Sequence, residues 1–310
     1  MKRNYCIILF LLVGLVHLQA QSLTQMQEVI KVTSEHEKDE YAFYVENRSH
    51  ATYSVSILFK ELRNLTGTVS GVSPNMEVAP PGKYRIFSLK PEKADGSSSF
   101  SYSYSYMQGN FRAKVDTNYV YLLPVKPGKE VRVLVLTDLK SYLVKSAPQK
   151  ITGIGFGMAE GDTVCAVRSG IVVEVKDHLA SAGNDKTYVA DENQLAIQHN
   201  DGSIAMYRLF RDNGFFVEEG DKVVAGQPIG IVGGDNYELG PHLRFYVYYL
   251  RKADRDSEQP FVPRILLPAF HLAPSTDAKV EFNKKYQCEH PQEYILKEMT
   301  KSQRKKYLAL

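Results

Sequence analysis

The chain has 310 residues, of which 44% are hydrophobic and 24% are charged. This length is typical of two domains, and the hydrophobic content is sufficient for buried cores. The net charge is +3, and it falls by two, to +1, if the first twenty residues with Lys2 and Arg3 are removed. A nearly neutral body gives no electrostatic basis for nucleic-acid binding.

Residues 1–20 have the pattern of a secretory signal peptide. Basic residues are followed by the apolar run Ile7–Val16, which is short for a bilayer span, and Ala20 offers a small residue for cleavage. Cys6 lies inside the apolar run and not after it, so the pattern does not indicate a lipoprotein anchor. An uncleaved signal anchor is the alternative. The sequence predicts a secreted, periplasmic or otherwise extracytoplasmic protein without a membrane span after signal cleavage.

Two cysteines, Cys165 and Cys288, remain after the signal peptide is removed. In an oxidising compartment they could pair as a disulfide. Two separate buried thiols are the alternative, and the sequence does not separate the two.

Residues 21–145 are predicted to form an antiparallel β-sandwich. Tyr53–Ile57 and Phe100–Tyr106 alternate with period two, as expected of strands with one covered face. Turn-forming segments separate such runs, at Pro80–Gly82, Ala94–Gly96, Gln108–Asn110 and Lys126–Gly128. Short strands at this spacing are typical of a sandwich.

An internal near-repeat follows the predicted linker Ser146–Gln149. Glu160–Ala166 leads to Gly170–Val172, and Glu219–Ala225 leads in the same way to Gly230–Val232. Each copy places a Gly-Asp turn before one strand and a second glycine before the next strand. Two copies of one hairpin unit predict a small pseudo-symmetric β barrel-sandwich that is closed by pairing the copies.

The tail, residues 251–310, is predicted to be a C-terminal extension with a short helix. Arg251–Ser257 is charged and indicates a loop, whereas Phe261–Leu267 indicates a strand. Glu293–Leu310 has a helix-forming composition with a basic end, and Pro291 suits a first helical position. We expect this helix to pack on the rest of the protein or to extend into solvent rather than to bind a partner.

Four segments within residues 151–250 form one ordered set: Phe156–Ala166, Leu195–Gly202, Val217–Ile231 and Gly240–Val247. In their order and spacing they resemble the lysostaphin-type (LytM-like) zinc endopeptidases, which cut peptide bonds in bacterial peptidoglycan. The resemblance implies a mainly β fold. An N-terminal antiparallel β-sandwich, residues 21–145, would precede a LytM-like β barrel-sandwich, or duplicated hybrid motif, at residues 151–250.

The resemblance also implies that the zinc site is degenerate. The family holds zinc with a His and an Asp of the first motif and the second His of a His-x-His pair, which leaves a position for water. Here the Asp position falls on Gly155, the second His position falls on Arg244, and the upstream His has no counterpart. Leu209 stands two residues after Tyr207, where an assisting His belongs, so only His242 remains as a catalytic remnant. The implied groove is lined by these five residues, and no metal ligand set is expected.

Several polar residues near this groove have simpler interpretations. Arg244 would place a fixed positive charge in the groove, paired with a carboxylate of the protein or of a peptide stem, or it would extend from its strand to solvent. We expect His199 to be structural. Asp177, Asp185, Asp191 and Glu192 fall in a predicted loop that is expected to be solvated.

The leading functional hypothesis is a secreted cell-envelope protein whose degenerate LytM-like domain is a non-catalytic peptidoglycan-binding or regulatory, amidase-activator-like module. Its partner would be peptidoglycan or a cell-wall hydrolase, and no cofactor is expected. The alternative is a divergent zinc metalloendopeptidase that cleaves peptidoglycan cross-links. Its zinc ligands would come from His178, His199, His242 and nearby acids. A structural envelope protein with a vestigial groove is the third hypothesis.

Overall fold

The computed structural model describes residues 28–67, 74–137, 151–177, 192–233, 240–254, 257, 259–274 and 276–309. The predicted signal peptide lies outside these residues, as does the predicted linker. Strands make up 55% of the structure and helices 5%, which confirms the mainly β fold class.

The first seven strands form an N-terminal sandwich of two antiparallel sheets. They are β1 (Ile30–Glu37), β2 (Glu40–Asn47), β3 (Tyr53–Arg63), β4 (Leu65–Gly67), β5 (Asn75–Ala79), β6 (Gly82–Pro91) and β7 (Ser99–Gln108). The sheet orders are β1-β2-β6-β4 and β5-β3-β7. Phe43, Val55 and Ile57 are fully buried between the sheets, where the Phe43 ring lies 5.5 Å from that of Phe59. The alternating residues therefore fold as the sequence predicts.

The later strands form a second core around one large sheet. They are β8 (Val120–Tyr121), β9 (Glu130–Thr137), β10 (Ile151–Gly157), β11 (Thr163–Cys165), β12 (Gly170–Lys176), β13 (Gln194–Gln198), β14 (Ile204–Arg208), β15 (Phe210–Phe215), β16 (Lys222–Val223), β17 (Pro228–Val232), β18 (His242–Lys252), β19 (Phe261–Leu266), β20 (Ala269–Leu272), β21 (Thr276–Ala278) and β22 (Lys285–Gln287). The large sheet has the order β16-β12-β13-β14-β18-β10-β9-β22, and β19 also pairs with β18. Two three-stranded sheets, β11-β17-β15 and β21-β20-β8, complete this core.

The two repeat copies pair with each other across a pseudo-twofold axis. Strand β11 of the first copy pairs with β17 of the second, and β12 pairs with β16. The hydrogen bonds match: Gly161 N–H donates to Val232 O at 3.2 Å, and Gly220 N–H donates to Val172 O at 2.8 Å. Both glycines have positive φ, 83° and 94°, which other residues adopt at a cost. The prediction that the barrel closes by pairing the copies is confirmed.

Residues ahead of the predicted linker contribute to the second core. Tyr121, Leu123 and Val133 are buried there, and β9 pairs with β10 along most of its length. The domain borders stay a prediction, but β8 and β9 pack with the barrel and not with the sandwich.

The sandwich docks on the outer face of the large sheet, opposite the second core. Ala51 is buried there against Ala196 and Met206. The Thr52 N–H donates to Gln198 Oε1 at 2.9 Å. The sandwich therefore covers one end of this outer face, and the other end of the face lies toward β10.

The C-terminal residues differ from the expected extension. Strand β18 continues through Arg251 and Lys252, where a loop was expected, because these residues pair with β19. The predicted strand at Phe261–Leu267 is confirmed as β19, whereas β20 to β22 were not foreseen.

The expected single helix is two short helices, α1 (Gln292–Leu296) and α2 (Lys301–Tyr307), and Pro291 is the N-cap of α1. The division occurs because the Thr300 hydroxyl accepts from Gln303 N–H and the Gln303 side chain accepts from Thr300 N–H, which starts a new helix. Among the described residues, no helix has the length and apolar character that crossing a bilayer requires.

A buried arginine ties this C-terminal segment to the barrel. The Arg168 side chain is 3% exposed and pairs with Asp201 at 2.9 Å and with Glu298 at 2.7 Å. Its guanidinium carbon lies 3.7 Å from the centre of the Tyr119 ring. Because Asp201 lies between β13 and β14 and Glu298 lies between α1 and α2, one side chain joins three parts of the fold.

We expect Arg168→Met to lower the free energy of unfolding by about 3 kcal/mol, because it leaves two nearly buried carboxylates without their cation. The matched control is Arg85→Met in the sandwich, whose side chain is 42% exposed and lies 3.2 Å from Glu37. Its effect should stay within about 1 kcal/mol, since exposed pairs contribute little. Urea denaturation of both variants measures the difference. Equal losses would refute the special role of Arg168.

Candidate functional site

Three neighbouring strands place a row of residues on the outer face of the large sheet. In the register, Gly155 of β10 lies opposite Arg244 of β18, and Arg244 lies opposite Arg208 of β14. Leu243 and Phe245 point into the core, so alternation places Arg244 on the opposite, outer face together with its neighbours in the row. We refer to this part of the outer face as the groove.

A buried carboxylate lies across this row. The Glu192 side chain is 1% exposed, and its Oε1 lies 2.6 Å from Arg244 Nη1 while its Oε2 lies 3.0 Å from Arg208 Nε. Burial raises the pKa of the Glu192 carboxyl above its ordinary value, and the charges of Arg244 and Arg208 oppose this shift. We take the group as ionised, since both guanidinium groups are permanently charged. The expectation that Glu192 is solvated in a loop is wrong, because the fold brings two arginines to it.

His242 is held in one tautomer by its two neighbours. Arg244 Nε–H donates to His242 Nε2 at 3.2 Å, because a guanidinium nitrogen has no lone pair to offer. Nδ1 therefore carries the ring proton and donates to Gly240 O at 2.7 Å. Burial and the charge of Arg244 lower the pKa of His242, so the ring is neutral. The lone pair that could bind a metal accepts a hydrogen bond instead.

The Gly155 position has no room for an aspartate. A Cβ atom built there would lie 2.9 Å from the Leu134 Cβ and 3.4 Å from Leu136 Cδ2. Both leucines belong to β9, which pairs with β10 along this edge. A carboxylate ligand at residue 155 would therefore displace a neighbouring strand.

Two residues expected in the groove present little or no surface to it. Tyr207 is fully buried on the core face, where its hydroxyl accepts from Val167 N–H at 3.0 Å and its ring lies 5.1 Å from that of Phe245. The prediction that Tyr207 lines the groove is wrong, because strand alternation directs its side chain into the core, away from Arg208. Leu209 is 3% exposed and has φ 74°, a strained conformation for a leucine, so it offers little surface to a ligand.

The alternative zinc ligands do not meet in the described part of the chain. His199 follows β13 and Glu192 precedes it, so about 20 Å of strand separates them. His199 is buried, and its Nδ1 lies 2.8 Å from Ser169 O, as expected of a structural residue. His178 lies outside the described residues. No group of three or more His, Cys, Asp or Glu side chains suited to a metal occurs among the residues described.

Cys165 and Cys288 are present as separate buried thiols, which is the second of the two alternatives. The Cys288 thiol donates to Val125 O at 3.1 Å. Burial raises the pKa of Cys165 to about 11 and that of Cys288 to about 12. Both groups are therefore protonated and unreactive near neutral pH.

The paired repeats close one β barrel, and the outer face of its large sheet carries the row of Gly155, Arg244 and Arg208. Residues 149–257 match the model of peptidase family M23, and this segment is an M23 domain. The LytM-like resemblance expected from the motifs is thereby confirmed for this part of the chain.

The segment is similar to several known proteins. It is 31% identical over 108 residues to an uncharacterized metalloprotease of Buchnera aphidicola subsp. Baizongia pistaciae (strain Bp), over 35% of this chain and 25% of that protein. The chain thus spans about a quarter of this curated relative. The catalytic domain of lysostaphin from Staphylococcus simulans is 25% identical, with 42% of this chain and 79% of that chain covered and a TM-score of 0.26. A zinc-containing peptidase from Vibrio cholerae is 15% identical, with 70% and 81% covered and a TM-score of 0.33.

The short contact distances at residue 155 predict that an aspartate there destabilises the protein. Gly155→Asp should lower the free energy of unfolding by about 1–3 kcal/mol, because the new Cβ meets Leu134. Leu134→Gly removes the opposing atom, so the double variant should be more stable than the sum of the single changes by about 1 kcal/mol.

The matched control is Gly157→Asp, where the nearest atom to a new Cβ is 3.5 Å away. It should show no such coupling with Leu134→Gly. Urea denaturation of the full set measures both couplings, and additive effects at residue 155 would contradict the steric explanation.

His199 predicts a pH dependence of stability. Burial and the charge of Arg168 lower its pKa to about 3, against about 6.5 in the unfolded chain. Between these values the unfolded chain binds more protons, so stability is fully present above about pH 6.5 and is lost as the pH falls. From pH 7 to pH 5 the loss from this residue should be about 2 kcal/mol.

His199→Gln keeps a donor for Ser169 O and removes the titration. The variant should therefore lose about 2 kcal/mol less than the wild type over the same pH interval. Urea denaturation at both pH values measures it, and identical pH slopes in the two proteins would contradict the assignment.

Proposed function

We propose that this protein is a secreted, non-catalytic M23-domain protein that binds peptidoglycan, or a hydrolase that acts on it, without cutting the polymer. The supporting observation is the buried Glu192 carboxylate between Arg244 and Arg208 on the face where the family's metal lies. Fold alone would not carry this proposal, because one fold serves many functions.

The residues in the groove do not fit a zinc ion. Arg244 stands at a ligand position and stays protonated, so it would repel a divalent cation instead of binding it. The lone pair of His242 already accepts from Arg244, and Gly155 lacks space for a carboxylate. We therefore assign no hydrolytic step to this site.

The groove presents the guanidinium groups of Arg244 and Arg208 to a peptide that carries carboxylates. The side chains of Arg244 and Arg208 are 22% and 28% exposed, so both reach the surface of the groove. Planar guanidinium groups recognise carboxylates with two parallel hydrogen bonds. Peptide stems of peptidoglycan carry such groups, and this match supports binding over cleavage.

The divergent zinc endopeptidase remains the second candidate because one similar protein is named a metalloprotease. The two candidates differ in their metal content. After the protein is equilibrated with zinc and the unbound zinc is removed, elemental analysis should find no stoichiometric zinc. One zinc ion per chain held by residues 151–250, together with release of peptide ends from purified sacculi, would favour the enzyme.

Binding is tested by co-sedimentation with purified sacculi. Arg244→Ala should weaken binding by about tenfold, as expected for loss of one charged hydrogen-bonding group. Arg85→Ala in the sandwich is the control and should bind as the wild type does. If the wild type does not sediment, or if both variants bind equally, the groove is not the binding site.

A further inference from the structure

The surface of helix α2 is strongly basic although the protein is nearly neutral. Lys301, Arg304, Lys305 and Lys306 are all exposed, and α2 contains no acidic residue. Four of the seven residues of α2 are therefore basic, whereas Lys and Arg together account for 38 of the 310 residues of the chain. Positive charge is locally dense at this helix. Such segregation indicates an anionic partner.

Contacts with the rest of the fold hold helix α2 in place, so it does not extend freely into solvent. Just before it, Met299 is buried, and the preceding Glu298 pairs with the buried Arg168 at 2.7 Å. The Arg304 Nε–H lies 3.1 Å from both Leu296 O and Met299 O, which joins α2 to the end of α1. These contacts fix the position of a helix that buries none of its own residues. The fold thus presents this surface in one orientation.

One face of α2 combines charge with an apolar side chain. Lys301, Lys305 and Leu308 are spaced by four and three residues, so they lie on the same side of the helix. Leu308 is 58% exposed. The helix dipole explains lysines in the last turn, but Lys301 lies in the first turn, where a positive charge is unfavourable. Helix stability therefore does not account for the whole pattern.

We propose that the basic face of α2 docks on the surface of an anionic lipid bilayer. The lysines contact phosphate headgroups, and Leu308 enters the boundary between headgroups and acyl chains. Arg304 remains bound to the α1 carbonyls and orients the helix. This attachment is peripheral and places the M23 domain close to a membrane. It is independent of whether the groove binds or cleaves peptidoglycan.

The test uses the full mature chain and vesicles of phosphatidylcholine with about one third phosphatidylglycerol. The wild type should co-sediment with these vesicles and not with pure phosphatidylcholine. Lys301→Gln, Lys305→Gln and Lys306→Gln combined should weaken binding about a hundredfold, from about fivefold for each charge. Binding should fall when salt is raised from about 0.05 M to about 0.5 M, because the charges are screened.

The matched control removes three exposed lysines of the sandwich, Lys31, Lys60 and Lys93, by the same substitution. This variant has the same net charge as the α2 triple variant and should bind within about threefold of the wild type, since its three substitutions lie in the sandwich and not in α2. Leu308→Asp should also weaken binding.

Three results would overturn the proposal. They are no binding of the wild type to the anionic vesicles at low salt, equal weakening by the two triple variants, and binding to a soluble polyphosphate but not to the vesicles. Circular dichroism of each variant shows that a loss of binding is not a loss of the fold.

Discussion

The groove is organised by the attraction between one buried carboxylate and two guanidinium groups. A carboxylate as buried as that of Glu192 is stable only with partners, and its two oxygens lie within 3.0 Å of Arg244 and Arg208. Arg244 in turn sets the tautomer of His242 through its Nε–H. Glu192, Arg208, Arg244 and His242 therefore form one connected polar cluster on the outer face of the sheet. Removing Glu192 would take from both guanidinium groups the carboxylate that they share.

The strand beside this site affects it through side-chain packing and not through charge. Strand β9 pairs along β10, and its Leu134 side chain occupies the space that a side chain at residue 155 would need. The glycine there is thus consistent with its surroundings, because a larger side chain would require Leu134 to move.

The C-terminal segment is part of the barrel and not an appendage. Strand β22 extends the large sheet beside β9, and Cys288 is fully buried in the same core. Arg168 connects Glu298 to the turn that holds Asp201, so the helices are fixed relative to the repeat units. In this way the M23 domain, the strand that crowds its groove and the basic helix form one packed body.

The sequence by itself determined the features that depend on local pattern. The alternation in Phe100–Tyr106 predicted a strand, and the two Gly-Asp copies predicted the paired hairpins, because both patterns reflect contacts that repeat at short, fixed spacing. The family resemblance further predicted that Gly155 and Arg244 stand at ligand positions of one groove, and this stays a prediction, although the register places the two residues opposite each other.

Only the tertiary structure decided the partner of Arg244. Glu192 stands 52 residues away in the chain and has no periodic signal, so nothing in the sequence distinguished it from the nearby acids that were expected to be solvated. The inward direction of Tyr207 and the crowding by Leu134 likewise depend on which strands become neighbours. Long-range pairing sets those contacts, and residue spacing along the chain does not encode them.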